Sequence, residues 1–375
     1  MRTPVWTVAL AFLLLAGSLL GACSPTPADE ALDSPLPPPT AAGSPLTVVD
    51  ALGRTVEFPA PPQRIVVAGK SSLTIVDTLY LFPEARERLV GLVVGRQDPG
   101  AFLSAVDPAF AAKAALEVEA GPEQIAPLDP DVVVLRSFMA ESLGQPLDQL
   151  GIPVVYVDLE TPEQYFRDLG TLGTLLGNGA RADEIHAYYQ ARLDRIEAAL
   201  ADLEDGDLPR VLLLQHSAQG GEVALSVPSA SWIQTAEVEM AGGLPAWVEA
   251  APGGGWTVVN LEQIAAWDPD ALLIVSYDAD PAAVVEDLAA DPRWQALRAV
   301  EAGRIYGFPG DIFSWDQPDP RWILGVTWLA GQLHPQRLAD LDMRAEVVQF
   351  FEAMYGMETA SIEARILANL KGDVE

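Results

Sequence analysis

Two continuous apolar runs, Val132–Leu135 and Ala271–Val275, are introduced by the same polar phrase. Glu123-Gln124-Ile125-Ala126 leads through Asp129-Pro130-Asp131 into the first, and Glu262-Gln263-Ile264-Ala265 leads through Asp268-Pro269-Asp270 into the second. Proline disfavours helical geometry in the residue before it, so a short helix should end at each Asp-Pro. An apolar run without polar alternation is the pattern of a parallel strand buried on both faces. A second phrase also returns, because Pro62-Gln63-Arg64-Ile65-Val66-Val67 is echoed by Leu208-Pro209-Arg210-Val211-Leu212-Leu213. The separation is too long for a solenoid repeat and suits a whole domain, so the pattern predicts two similar α/β lobes.

The remaining pattern fills in those lobes. A hairpin is predicted over Val48–Val56 with Leu52-Gly53 at its turn. Strands are predicted at Arg64–Ala68, Leu89–Val94, Pro153–Val157 and Arg304–Phe308, and helices at Leu73–Leu81 and Trp232–Met240. Between the lobes, apolar residues recur at helical spacing through Phe166, Leu169, Leu172 and Leu175, then Ile185, Tyr188, Leu193 and Ile196. Gly177-Asn178-Gly179 interrupts them as a helix end should, and the charged stretch Ala180–Leu203 reads as one long helix bridging the lobes. The expected fold class is α/β, with two Rossmann-like lobes built on mainly parallel sheets, joined by that helix, and a ligand cleft between them. The expected division is an N-terminal lobe over residues 46–160, a helical connection over 161–206, a C-terminal lobe over 207–335 and a helical segment over 336–375.

The N-terminus reads differently. Residues 1–22 carry one early charge, Arg2, and an apolar run from Val5 to Leu20, which is a secretory signal shape. Leu20-Gly21-Ala22-Cys23 looks like the lipobox of bacterial lipoproteins, implying cleavage before Cys23 and acylation of its thiol. Residues 23–45 are rich in proline and small polar residues and read as an extended spacer. The expected location is therefore outside the cytoplasm, tethered to the membrane through lipid on Cys23.

Charge and composition narrow the function classes. A formal net charge of −31 argues against a nucleic-acid partner, which needs clustered Lys and Arg. Cys23 is the one cysteine, so no intramolecular disulfide forms. Of the three histidines only His216 falls at a predicted strand end, while His186 lies on the bridging helix and His334 near the last helices, so bare divalent-metal chelation is disfavoured. The sequence lacks Gly-x-Ser-x-Gly, His-Glu-x-x-His and a Walker glycine loop, so no enzyme is expected and no intrinsic cofactor.

Ligands of parallel α/β sheets bind beyond the carboxyl ends of the strands. The N-terminal lobe offers Lys70, Ser71 and Ser72, then Arg96, then Arg136 and Ser137. Three cations at three strand ends of so acidic a chain favour an anionic ligand. The C-terminal lobe offers His216, Tyr277 and Trp315, with Trp256 after a glycine run, a set suited to a large planar or chelated ligand. A compact oxyanion such as molybdate or tungstate is the alternative that Ser71, Ser72 and Arg136 would also serve.

The order of these features resembles the substrate-binding proteins of ABC importers for iron complexes, haem and cobalamin. The matching residues are Asp50-Ala51-Leu52-Gly53-Arg54, Pro62-Gln63-Arg64-Ile65-Val66, the two helix-Asp-Pro-Asp-strand units, Ala241-Gly242-Gly243, Ala302-Gly303-Arg304-Ile305-Tyr306, Trp328-Leu329-Ala330 and Leu333-His334-Pro335. The resemblance covers about residues 46 to 340. It implies a monomer that holds an iron complex of the ferric siderophore type in the cleft and delivers it to an ABC permease and its ATPase. Haem, cobalamin, an oxyanion, or a ligand-sensing role on the same fold are the alternatives. It also implies one docking acid on each lobe, which falls on Asp77 and on Glu239 (or Glu237).

Overall fold

Each apolar run becomes an interior strand of a sheet. The computed structural model describes residues 45–94, 100–219 and 222–374; the leader, the spacer before residue 45, Cys23 and Arg96 lie outside the described residues. The chain opens with the hairpin β1 (Leu46–Val49) and β2 (Thr55–Phe58), paired antiparallel. Asp50 closes its turn by accepting the backbone N–H groups of Leu52 and Arg54, both at 3.0 Å, and Gly53 takes the left-handed φ of 72° that the turn requires.

The first large sheet contains β3 (Ile65–Val67), β4 (Leu89–Val93), β5 (Ala114–Leu116), β6 (Val132–Arg136) and β7 (Val154–Val157). Its order is β5-β4-β3-β6-β7 and every pair is parallel. The second contains β8 (Arg210–Gln219), β9 (Glu222–Val227), β10 (Leu244–Pro245), β11 (Thr257–Val259), β12 (Ala271–Val275) and β13 (Ile305–Gly307). Its order is β11-β9-β8-β12-β13, with β10 on β8. This sheet is mixed rather than mainly parallel. β8 follows β12 only as far as Gln215 and then continues to Gln219, pairing with β9 in an antiparallel hairpin.

The repeated phrase performs the same local task in both sheets. Asp129 and Asp268 adopt left-handed conformations, φ 47° and 43°, so each short helix stops there and the chain turns into its strand. The next acid then ties the strand to its neighbour. Asp131 accepts the backbone N–H of Arg64 at 2.9 Å and Asp270 accepts that of Arg210 at 2.8 Å. The side chains of those arginines return the bond, donating to backbone carbonyls at Leu128 and Asp129 in one sheet and at Trp267 in the other.

Two helices follow β7. Helix Pro162–Leu176 is capped by Thr161, whose hydroxyl accepts from the Gln164 N–H, and it ends at Gly177 with φ 71°. Its buried stripe, Tyr165, Leu169, Leu172 and Leu176, has the three- and four-residue spacing of an amphipathic helix. Asn178 caps the 22-residue helix Gly179–Leu200, about 33 Å long at 1.5 Å per residue. Near its start Arg181 Nε donates to Leu81 O at 3.0 Å, and at its far end Leu200 packs against Gly242, so the helix spans from one sheet system to the other.

Residues Gly43–Glu375 form one compact unit, and one apolar core runs through it from β3 and β6 to β8 and β12. Within it Tyr165 stacks on Tyr189, and Trp322 meets Tyr165 edge-on and Tyr189 at a tilt, with centroids 5.1 to 5.8 Å apart. Helix Met343–Tyr355 returns to the N-terminal half, where Phe102 packs edge-on against Phe351 and Tyr355.

Candidate functional site

Between the carboxyl ends of the two sheets lies a cavity of about 340 Å³. From the N-terminal side it receives Ser71, Thr74 and Asp77 after β3, Arg136 from the end of β6, and Glu160 after β7. From the C-terminal side come Trp232, Gln234, Tyr277, Phe313 and the segment Gln317–Asp319. This is the size of a small-molecule site, lined by groups from both halves.

The N-terminal wall is polar and largely self-satisfied. Arg136 is buried; its Nη2 sits 2.5 Å from Glu160 Oε2 and its Nη1 donates to Thr74 Oγ1 at 3.1 Å. Its Nε has no partner among the described residues. Ser71 holds φ 54°, an uncommon and strained conformation for serine that aligns the chain between β3 and helix Leu73–Leu79.

The C-terminal wall is aromatic. Trp256 stands edge-on to Trp232 at 5.8 Å and to Tyr277 at 6.5 Å, fixing both rings. The Tyr277 ring is partly exposed, while its hydroxyl turns inward and donates to Asp316 Oδ2 at 2.7 Å. Burial, then the Asp316 carboxylate, hold that phenol well above its usual pKa. Gln234 Nε2 reaches the same Asp316 oxygen at 3.3 Å. Below them Glu237 is fully buried, and neither carboxyl oxygen has a partner among the described residues. Burial, reinforced by Asp316 and Asp319, pushes its pKa well above the usual carboxylate range, so Glu237 is held as the neutral acid.

Arg321 forms the floor. Its guanidinium is fully buried, pairing with Asp77 through Nη1 and with Asp311 through Nε at 2.8 Å. Tyr355 donates its hydroxyl to the other Asp77 oxygen at 2.8 Å. Phe102, Phe313 and Phe351 surround the guanidinium, with centroids 4.9 to 5.3 Å away. Burial alone would lower the guanidinium pKa, but Asp311 and Asp77 outweigh it and hold Arg321 charged. Asp77 belongs to the first half and Asp311 to the second, so Arg321 joins the two walls beneath the cavity.

Ser71, Arg136 and Tyr277, named from strand ends, are brought together here, and Trp256 stands directly behind. Others are elsewhere. Lys70 is exposed and outside the lining; Ser72 is buried at the start of helix Leu73–Leu79; Ser137 bonds to Asp158. His216 is not at a strand end, because β8 runs past it and pairs it with Leu225 in the hairpin. Trp315 does not face the cleft: Asp311 accepts its indole N–H at 3.0 Å, which lets the ring bury completely. Asp77 is not a docking acid, since it is buried and committed to Arg321 and Tyr355. Glu239 is exposed, on a separate surface groove with Leu193, Glu197 and Met240. Thr74, Glu160, Trp232, Gln234, Phe313 and Asp319 were not anticipated. Thr74 is the second residue of the helix after β3, a signal that was present in the sequence.

Among the described residues no group of three or more His, Cys, Asp or Glu side chains is arranged to hold a metal ion. Comparison with known proteins gives the fold its family. The chain is 26% identical over 341 residues to the molybdate-binding protein MolA of Haemophilus influenzae, covering 82% of this chain and 90% of that protein. It is 22% identical over 264 residues to the iron-uptake system-binding protein of Bacillus subtilis, covering 69% and 78%. A periplasmic solute-binding protein from Veillonella parvula shares the fold with a TM-score of 0.69 at 23% identity, covering 86% of this chain and 97% of that one. The family described as periplasmic binding protein matches residues 112–312, more than half of the chain, which therefore belongs to that family and is an extracytoplasmic solute-binding protein of the ABC-transporter type rather than an enzyme.

Proposed function

We propose that this protein is a lipid-anchored receptor that captures an iron complex of the ferric siderophore type in the 340 Å³ cavity and delivers it to an ABC permease. The observation that carries the reading is the pairing of a hydrogen-bonding wall, Arg136 with Thr74 and Ser71, against an aromatic wall, Trp232 with Tyr277 and Phe313. Such a pairing suits a chelate that presents both oxygen atoms and a flat organic face. The similarity to an iron-uptake binding protein supports it. Cys23 supplies the anchor and Glu239 one acid for the permease. Tryptophan fluorescence, read through Trp232 and Trp256, tests the ligand with ferric siderophores, haem, cobalamin and molybdate in parallel. A ferric complex should bind at micromolar concentration or below, and Arg136→Ala should weaken it at least about tenfold.

A second reading is a compact oxyanion, favoured by the similarity to a molybdate-binding protein and by Arg136 beside Ser71 and Thr74. Binding of molybdate with no response to any ferric complex, haem or cobalamin would select it.

A further inference from the structure

The two walls of the cavity are unequal in charge and in unmet hydrogen bonds. Three carboxyl groups line it, Asp77, Glu160 and Asp319, against Arg136 as the cation among the described lining residues. Arg136 is already engaged by Glu160 and Thr74, and Asp77 by Arg321 and Tyr355 from behind. Asp319 is not engaged in that way. It accepts the backbone N–H of Arg321 at 2.8 Å, and no side chain among the described residues donates to it.

On the same side Gln234 is only 4% exposed, yet lines the cavity. Its amide N–H points to Asp316, which leaves Oε1 without a donor among the described residues. Asp316 Oδ1 also lacks a donor among them. A buried acceptor left unpaired costs free energy, and a donor arriving with the ligand removes that cost. The rings of Trp232, Tyr277 and Phe313 complete this side, and ring faces attract cations. An anionic group placed here would meet the unpaired acceptors Gln234 Oε1 and Asp316 Oδ1, while the nearest guanidinium, Arg321, is committed to Asp77 and Asp311. A cation arriving beside Asp319 would instead favour its carboxylate against the burial that raises its pKa.

We infer that the Gln234–Asp319 side of the cavity recognises a positively charged, hydrogen-bond-donating group of the ligand, so that the protein selects metal complexes carrying a cationic arm over those carrying an anionic one. The inference rests on the proposal that this cavity is the iron-complex site. It reverses the expectation of an anionic ligand drawn from Lys70, Arg96 and Arg136. The protein's net charge of −31 acts in the same direction at long range, raising the local concentration of cations.

A matched series separates charge from shape: ferrioxamine B, a ferric trihydroxamate ending in an ammonium group, and its N-acetyl and N-succinyl derivatives, which end neutral and anionic. Calorimetric titration of the full chain at physiological salt should rank them ammonium, acetyl, succinyl, with at least about a tenfold span. Asp319→Asn keeps an acceptor for the Arg321 N–H and should shrink that span, with the melting temperature confirming that the variant folds. Gln234→Leu, which removes the other acceptor, should shrink it as well. Equal binding of the three, or tighter binding of the succinyl form, overturns the charge selection and leaves the iron-complex reading standing. Failure of all three to bind, while haem, cobalamin or molybdate binds, overturns both.

Discussion

In the N-terminal sheet all five strands run parallel and β6 ends in a charged residue, whereas the C-terminal sheet is mixed and β12 ends in valine. Counted from the shared Asp-Pro-Asp, Arg136 corresponds to Val275 and Phe138 to Tyr277. The same scaffold thus places a cation at the cavity from one side and an aromatic ring from the other. The C-terminal half has its own buried arginine, Arg321, but it enters from the loop before helix Trp322–Leu333 and not from a strand. Repeated backbone fixes where the strands point, and unrepeated loops decide what chemistry they meet.

The two arginines offer the largest contrast. Arg321 is fully buried among Asp77, Asp311 and Asp319, while the partner of Arg136, Glu160, has a third of its side chain exposed. Removing one partner of a buried ion pair strands the other charge, so Arg321→Met should cost about 3–5 kcal/mol in denaturant unfolding. Arg136→Met, with a solvated acid left behind, should cost about 1 kcal/mol. Equal losses would mean that Arg321 does not join the two halves as the geometry indicates.

Glu237 gives a contrast in pH. Its folded-state pKa is raised by burial and by Asp316 and Asp319. The folded protein therefore binds a proton that the unfolded chain has released once the pH exceeds the usual glutamate value. That contribution to stability is complete below the unfolded pKa and is lost as pH rises towards the folded one, at about 1.4 kcal/mol per pH unit. Glu237→Gln should flatten the fall of melting temperature between about pH 5 and pH 8. It should also leave the variant the more stable protein at the upper end. An unchanged pH profile would show that Glu237 is ionised in the fold. On the N-terminal wall Glu160 is partly exposed and paired, and the buried Asp77 differs from Glu237 in having Arg321 and Tyr355 as partners.

How far the sequence carried this structure depends on burial and on range. Strands with both faces covered, such as β6 and β12, stood out as unbroken apolar runs. β9 and β11 did not, because polar residues interrupt β9 and β11 is a three-residue edge strand whose Val258 stays 69% exposed. Ser71, Arg136 and Tyr277 were legible since each ends a strand or lies within a few residues of a strand's end. Gln234 and Asp319 were not, because their place depends on how a helix and a loop cross over the end of the sheet. Asp77 falls at the docking position that the resemblance implies, and nothing near it in the sequence shows what covers it. The covering groups, Arg321 and Tyr355, lie far along the chain. Trp315 was misread for a related reason: an indole buries without cost once its N–H finds an acceptor, and Asp311 is four residues away.

The smallest effect tests whether the repeated device is one mechanism or two. Asp131 accepts two backbone N–H groups, from Gln63 at 2.7 Å and Arg64 at 2.9 Å. Asp270 accepts one, from Arg210 at 2.8 Å, and pairs at its other oxygen with the exposed Arg298. An exposed ion pair adds little, so Asp131→Ala should cost slightly more than Asp270→Ala, each about 1 kcal/mol in urea titration. The two locks sit in different sheets and share no partner, so the double variant should lose the sum to within about 0.5 kcal/mol. A larger shortfall or excess would show that the sheets sense one another beyond the buried link at Arg321. The cavity would then be held open or closed by the scaffold and not only by the groups that line it.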